Sequence, residues 1–542
     1  MARWTDSAGP SLRSHPSVVL RRRRTRRSGK PDISQRPRRP QFVTLEWLGR
    51  AVQPIRWPSD WERARQMRIL KDAPVDRGRR RILLLSYHFP PAETAGALRW
   101  QKLAAPLSEA GWTLDVVTLD PDTVTGSGLR ALESLPADTR VFGVPEGQIR
   151  TRRYTKSLSR RIKTLRRAWT HAPNQTAAPG AAPSRPGSLH CTEVGWRPAG
   201  ESIRRAYGAI FKLMLELGWV RSMTRTAVDL TIRDEAEYDL LLTCGPPHLV
   251  HVAGLQLHRR TGIPFVMDMR DPWRFLERIP EAIASPIWIA VSRLLEERCT
   301  REAALVITNT EPAAALLRQT YTGQGPFVAV RNGSDDVRQS AGNQAGPFLV
   351  VFAGSIYLDR DPRPLFRAVA RLVSEQNLGP ADFRVLLVGN VAEFDGQPVR
   401  ELAASASMAD FLELRPGVPR DELAGILEQA SILVSLPQDS HLAIPSKIYE
   451  YAEYPAWILV VASPESATGR LVEDSEVDVA MPGSTDSILA VLNTRFDEYS
   501  KGVRPTAIGR DPRFSRALQA QKLVDLLNRI MARNQPPAST AR

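Results

Sequence analysis

The sequence predicts an α/β fold: two Rossmann-like domains facing a cleft, preceded by a disordered basic tail. Three observations predict it. Short apolar runs alternate with helix-length segments from about residue 80 to residue 500, the pattern of parallel α/β units. The runs fall into two sets, parted by the small-residue stretch Ser340-Ala-Gly-Asn-Gln-Ala-Gly346. The charge is concentrated: residues 1–40 and 147–167 carry +10 and +9 of the formal +16, which leaves the rest of the 542-residue chain at −3. The folded body is therefore not basic, which argues against specific nucleic-acid binding.

Residues 1–75 are rich in Arg, Pro and Ser, with Arg21-Arg-Arg-Arg24 at their centre, and such a composition cannot bury a core. A solvated tail and a loose tether to an anionic surface both fit it. The first domain is expected over 76–343. Ile82–Ser86 reads as a strand, Leu98–Ala110 as a helix ending at Gly111, and Leu114–Thr118 as the next strand. An insertion follows at 150–200. Within it Tyr154, Leu158, Ile162, Leu165 and Trp169 share one helical face, and Arg160, Arg161, Lys163, Arg166 and Arg167 fill the rest. A basic amphipathic helix of this kind can lie in an anionic membrane interface or pack on its own domain. Residues 172–187 are low-complexity. Leu240–Thr243, Phe265–Met267 and Leu305–Thr308 continue the strand set.

The second domain is expected over 344–505, with strands at Phe348–Ala353, Val385–Val388, Ile432–Leu436 and Ile458–Val461, and a helix at Ala517–Ala532 lies in the final segment, 506–542. Three scattered cysteines form neither a metal pattern nor a disulfide framework. No apolar run reaches spanning or signal-peptide length, so the expected location is cytoplasmic, with surface attachment at the inner face of the membrane.

The densest chemistry lies between Ser431 and Val461. A strand run, Ser431-Ile-Leu-Val-Ser-Leu436, is followed by a polar turn, then Ile444-Pro-Ser-Lys-Ile-Tyr-Glu-Tyr451, then the strand Trp457-Ile-Leu-Val-Val461. Pro445 suits a helix's first turn. The free N–H groups at Ser446, with Lys447 beside them, would hold an anion, and Glu450 can accept hydroxyl hydrogen bonds. Phosphate and sugar recognition in one segment is what a nucleotide-sugar site needs.

This segment resembles the donor-site signature of GT-B glycosyltransferases of the family 4-like group. Arg81-Ile-Leu-Leu-Leu-Ser-Tyr-His-Phe-Pro-Pro91 is similar to that family's first strand and acceptor-side loop, and Gly245-Pro-Pro247 leading to Asp268-Met-Arg-Asp-Pro-Trp273 is a third likeness. The resemblance implies transfer of a sugar from a nucleotide-diphosphate sugar to a glycan or lipid-linked acceptor, as in surface polysaccharide assembly. It also implies a final helix that returns to the first domain and chemistry without a metal. No cofactor is expected, and the sequence has no clear Asp-x-Asp dyad or His/Cys cluster. Arg360, Lys447 and the helix start would then meet the growing diphosphate charge.

Gly354, after the first strand of the second domain, would allow close approach of the donor. Gly389 and Val418 sit in loops that flank the nucleobase in the resembling enzymes. Gly96 stands where the family has a Gly-rich turn near the phosphates. His248, Asp268 and Arg270 are assigned to the acceptor side, and Asp271 is the candidate to orient or deprotonate the acceptor hydroxyl. In a retaining reaction the leaving phosphate would take that proton. One position departs from the family. The usual signature has two glutamates eight apart, and the first falls at Leu442, which cannot bond a sugar hydroxyl. Donor-sugar contacts are then expected from Asp439, Ser440, His441 or backbone groups. Two other readings keep the fold: a nucleotide-sugar epimerase, whose carboxylates and histidine cannot be assembled here, and a non-catalytic interaction protein.

Overall fold

A computed structural model describes residues 67–92, 94–121, 124–145, 188–190, 199–233, 237–275, 278–280, 283–335, 337–338, 342, 346–357, 360–436 and 440–534. The expected 154–169 helix, most of the basic tail and Asp439 lie outside these residues.

The chain first builds β1 (Arg68–Lys71), β2 (Arg80–Ser86), β3 (Trp112–Leu119) and β4 (Arg140–Val144), then a short strand β5 (Ser188–His190). It continues with β6 (Leu240–Cys244), β7 (Phe265–Arg270), β8 (Arg278–Pro280), β9 (Leu305–Thr308) and β10 (Phe327–Ala329). β5 and β8 form a separate ribbon, and the others form one sheet in the order β1-β4-β3-β2-β6-β7-β9-β10. Every neighbouring pair in that sheet is parallel except β1 with β4. Ile82 to Ser86 are all buried because helices cover both faces, and this explains the unbroken apolar run.

The expected tail over residues 1–75 is corrected at Arg68–Lys71. The segment is an edge strand on β4. Leu70 packs on the core, Arg68 pairs with Asp120 at 2.7 Å, and Lys71 donates to the Leu135 carbonyl at 3.2 Å. One apolar side chain, one ion pair and one hydrogen bond to a carbonyl are enough for an edge strand, and composition does not register them.

The second sheet comes from β11 (Phe348–Ser355), β12 (Phe383–Asn390), β15 (Leu412–Arg415), β16 (Ile432–Ser435), β17 (Trp457–Val461) and β18 (Asp478–Ala480). Its order is β15-β12-β11-β16-β17-β18, all parallel, and a small hairpin, β13 (Glu393–Phe394) with β14 (Gln397–Pro398), stands apart. The expected strands are present in both sheets. The last helix, Arg516–Asn534, packs Leu523, Val524, Leu527 and Ile530 into the first sheet's core beside Trp100 and Leu103.

Strand order reverses between β2 and β6 in the first sheet and between β11 and β16 in the second. Ligand crevices of α/β sheets open outside the carboxyl ends of strands at such points. Thr310, which follows β9, donates from Oγ1 to the Leu442 carbonyl in the loop after β16 at 2.6 Å, tying the two carboxyl edges together.

Under the first crevice lies a buried ion pair. Arg99, on the Ala95–Glu109 helix, donates from Nε to Asp268 Oδ2 at 2.8 Å, and Trp100 Nε1 donates to the same oxygen at 2.8 Å. Arg99 also donates to the Val330 carbonyl at 2.9 Å and to Asn332 Oδ1 at 3.1 Å. Removing one member of such a pair leaves a buried uncompensated charge. Arg99→Met is therefore expected to lower unfolding stability by about 3–5 kcal/mol, read as a lower thermal midpoint. An unchanged midpoint would show that the pair does not hold this helix.

Candidate functional site

The first-domain rim is built from the turns after β2, β6 and β7. Arg270 ends β7 with φ of 58°, and its carbonyl accepts the Asn309 N–H at 2.9 Å. This left-handed residue swings the guanidinium out of the sheet, and its buried Nε has no hydrogen-bond partner. A Cβ at Gly96 would lie 3.2 Å from Arg270 Nη1 and 3.1 Å from the His88 side chain, so a larger residue there would press on both. His88 Nδ1 lies 3.2 Å from Thr94 Oγ1. Burial, then the Arg270 charge, lowers the His88 pKa below its ordinary value. The geometry thus gathers Gly96, His88 and Arg270 around one cationic group.

Asp271, the next residue, accepts a hydrogen bond from Asn309. Enclosure raises its carboxyl above the ordinary aspartate value, against the pull of Arg270 and Arg99, and Asp268 adds repulsion in the same direction. A raised carboxylate at a cleft edge suits a group that takes a proton. Asn309 Oδ1 is buried and unbonded, a second open polar atom beside it.

Asp268 is not part of an acceptor surface. It is fully buried, and its carboxylate is taken by Arg99 and Trp100. His248 is buried as well, with its ring stacked on Trp273 at 5.5 Å. Burial, then Arg270, pulls its pKa to about 3, so it is neutral at any working pH. His251 Nδ1 lies 2.7 Å from Thr243 Oγ1. A Cβ at Gly245 would stand 2.6 Å from His248 Nδ1 and 2.8 Å from His251 Nε2, which explains a glycine there. Burial pushes the nearby Cys244 thiol up to about 12 and leaves it unreactive.

The second-domain rim is built from the ends of β11, β12 and β16. Gly354 and Gly389 are direct partners across β11 and β12. Gly389 has φ of 126°, and a Cβ on it would meet the Gly354 carbonyl oxygen at 2.0 Å. Backbone approach thus accounts for Gly389 without any ligand. Arg360 Nη1 donates to the Ser355 carbonyl at 3.1 Å, and its guanidinium lies 4.8 Å from the Tyr357 ring centre. Val418 packs against the second-domain core, in the loop before the Arg420–Glu428 helix.

Lys447 and Glu450 share the short Ser446–Tyr451 helix, and Lys447 Nζ donates to Glu450 Oε2 at 2.7 Å. Both side chains are partly exposed, so the pair itself adds little stability. Tyr451 accepts the Ala353 N–H at 2.9 Å, which fixes the helix beside the β11 end that carries Gly354. Two expectations change here. Pro445 stands at the N-cap with ψ of 124°, outside the first turn, and Ser446 is exposed at the start of only six helical residues. The dipole of so short a helix is small, and the positive charge of this rim rests on the side chains.

Ser440 caps its own turn, its Oγ accepting from Leu442 N at 3.2 Å and Ala443 N at 2.9 Å. Sequence reasoning overlooked His88, Asn309 and Thr310. His88 lay within the quoted Tyr-His-Phe-Pro-Pro stretch, but the cue for the other two is only their place after a strand. Among the described residues no group of three or more His, Cys, Asp or Glu side chains converges as a metal site.

With this geometry, the chain has the GT-B fold: two Rossmann-like domains whose strand ends face one cleft. It is similar over 84% of its length to the whole of a sucrose-phosphate synthase structure from Thermosynechococcus elongatus, at 14% identity and a TM-score of 0.53. An α,α-trehalose 6-phosphate synthase from Burkholderia multivorans aligns over 84% of this chain and 98% of its own, at 10% identity and a TM-score of 0.50. At these identities the likeness shows the fold alone. In sequence, 197 residues are 27% identical to a D-inositol 3-phosphate glycosyltransferase of Arthrobacter sp. (strain FB24). That match takes in 34% of this chain and spans 45% of the relative's length. No family model matches the chain.

The raised Asp271 carboxyl gives a test that needs no substrate. Folding raises this pKa, so protonation favours the folded state. The contribution is full below the ordinary aspartate range and is lost as pH rises through the raised value. Asp271→Asn should therefore melt at or above the wild-type temperature at neutral pH, and the two should converge in acid. A variant less stable than wild type at neutral pH and equal to it in acid would show a carboxylate held in its charged form.

Proposed function

We propose that this protein is a glycosyltransferase that moves a sugar from a nucleotide-diphosphate sugar to a hydroxyl of a glycan or lipid-linked acceptor. Surface polysaccharide or glycoconjugate assembly is the expected setting, and no specific nucleic-acid partner is expected. The observation that carries this reading is Arg270. Its side chain is a partly exposed cation with Nη1 beside the Gly96 turn, and an anion entering the cleft would meet that charge. On this reading its counterparts on the opposite rim, Arg360 and Lys447, receive the leaving diphosphate. Glu450 is then free to take ribose hydroxyls when Lys447 turns to phosphate.

In the proposed reaction the bond between the sugar's anomeric carbon and the diphosphate breaks, and the acceptor oxygen takes its place. The acceptor proton passes to Asp271, or to the leaving phosphate if configuration is retained. Charge on the diphosphate is met by fixed cationic side chains, so the transfer is proposed to run without a bound metal or other cofactor. The partial match to a relative named as a glycosyltransferase is in keeping with this reading.

One observation favours a second reading, a non-catalytic protein of the same fold. Leu442 offers no side-chain hydrogen bond, and its carbonyl is already engaged by Thr310. Release of nucleoside diphosphate from a panel of nucleotide sugars separates the two, with thermal stabilisation marking binding alone. On the transferase reading, Lys447→Ala should lose about 1.5–3 kcal/mol of transition-state stabilisation, the worth of a charged hydrogen bond. That is roughly a ten- to hundredfold drop in turnover. Wild-type turnover in this variant would remove Lys447 from the reaction.

A further inference from the structure

The Ala199–Val228 helix carries an unusual outer face. Ile203, Tyr207, Ile210 and Met214 are 69%, 49%, 37% and 47% exposed, at spacings of four, three and four residues. At 3.6 residues per turn these side chains form a single line along the helix. Arg221 and Arg225, both exposed, extend the same line toward the carboxyl end. The two other exposed residues of the helix, Arg204 and Leu215, flank it. Every exposed residue among the described positions of this helix is thus apolar, aromatic or arginine, and none is acidic. The acids Glu201 and Glu216 are not among the exposed residues and pair with Arg205 and Lys212.

The opposite face is satisfied by the protein itself. Ala209 and Leu213 pack on Ile279, Ile283, Ala284 and Trp288 in the segment that follows β7. Trp219 meets Tyr87, just past the carboxyl end of β2, with ring centres 4.7 Å apart. The twenty residues before Trp219 run about 30 Å along the helix from that contact. The line of exposed apolar side chains lies wholly within this length.

We propose that this face docks on an anionic lipid surface. Four large side chains would enter the interface, with arginines of one sign beside them, which is the pairing an anionic bilayer complements. Because Trp219 meets Tyr87 at the crevice end of β2, a helix docked in this way would hold the cleft mouth near the bilayer, where a lipid-linked hydroxyl is presented. The inference rests on the lipid-linked form of the acceptor proposed above, and names the surface that would reach it.

The test is sedimentation of the full chain with vesicles of phosphatidylcholine alone and with phosphatidylglycerol added. One variant carries Ile203→Ser, Tyr207→Ser, Ile210→Ser and Met214→Ser, and another carries Arg221→Glu and Arg225→Glu. A third changes Arg160, Arg161, Arg166 and Arg167 to Glu. Thermal midpoints and nucleoside diphosphate release, which involve none of these residues, report folding and the transferase reading separately. Wild type should bind only the anionic vesicles. Each exposed arginine contributes roughly fivefold, and the four apolar side chains supply the buried area, so both helix variants should lose at least about tenfold in partitioning. Wild-type binding by both would overturn the proposal, even if the third variant failed to bind and left a membrane role elsewhere in the chain. Failure of wild type to bind would also overturn it. So would a wild-type dimer that the serine variant turns into a monomer, because the face would then belong to a second copy.

Discussion

The Arg99–Asp268 pair is the constraint on which the cleft depends. Asp268 sits two residues before Arg270 and three before Asp271, at the carboxyl end of β7. Arg99 sits three residues after Gly96, on the helix that the turn after β2 leads into. Joining them fixes the Gly96 turn against the end of β7, so His88, Arg270 and Asp271 meet in one place. Arg99 also reaches Val330 and Asn332, where the chain leaves the first sheet for the second. One buried cation therefore sets the floor of the first rim and the point of departure toward the other. Its cost in desolvation is offset because each of its groups is hydrogen-bonded, the condition under which a buried ion pair is tolerable.

The second rim is held differently. Tyr451 reaches under it and bonds the backbone of Ala353, one residue before Gly354. The hydroxyl belongs to the helix that carries Lys447 and Glu450, so the cationic side chain and the end of β11 cannot shift independently. On the helix's other side, Asp335 N donates to Glu453 Oε1 at 2.8 Å, and Asp335 pairs with Lys102 and Arg516. Charges from the first domain, the crossover and the final helix thus converge behind the Ser446–Tyr451 helix. The Lys447–Glu450 contact keeps both charges partly neutralised while no ligand is bound. On the transferase reading, an arriving diphosphate would out-compete one carboxylate rather than order a free lysine, which would trim the entropy lost on binding.

The fold was legible because strands buried on both faces announce themselves as continuous apolar runs, as in Ile82–Leu85 and Ile432–Val434. Edge strands carry no such signature. Arg68–Lys71 is half polar, and Phe327–Ala329 spans only three residues. The candidate site was legible in its positions and less so in its geometry. Asp268 and Asp271 look alike in sequence, three apart around an arginine. The register shift and the left-handed Arg270 end the strand between them, so Asp268 stays within the buried strand and Asp271 falls past its end. Nothing local distinguishes them, because the partner that claims Asp268 lies 169 positions earlier. His248 reads as a polar residue near a cleft, yet Trp273 and Gly245 enclose it. Gly389 reads as a ligand-contact glycine, yet the Gly354 carbonyl alone requires it.

Thr310 and Leu442 show how a sequence departure can be structurally sound. A glutamate at position 442 would offer a carboxylate from this loop, but the loop itself is fixed by backbone. Thr310 caps its own helix by accepting from Ala313 N and also donates to the Leu442 carbonyl, so one hydroxyl holds a helix start and the facing domain. Ser440 secures the same turn by accepting from two successive N–H groups. The turn therefore keeps its place beside the rim without a charged side chain at its centre. The Leu442 and Ala443 N–H groups and the Leu442 carbonyl are taken up in holding the turn, and His441 is its exposed side chain. On the transferase reading, contact with the donor sugar would then fall to His441 and to groups outside this turn. Electrostatic selection would fall to the diphosphate that Arg360 and Lys447 are proposed to meet.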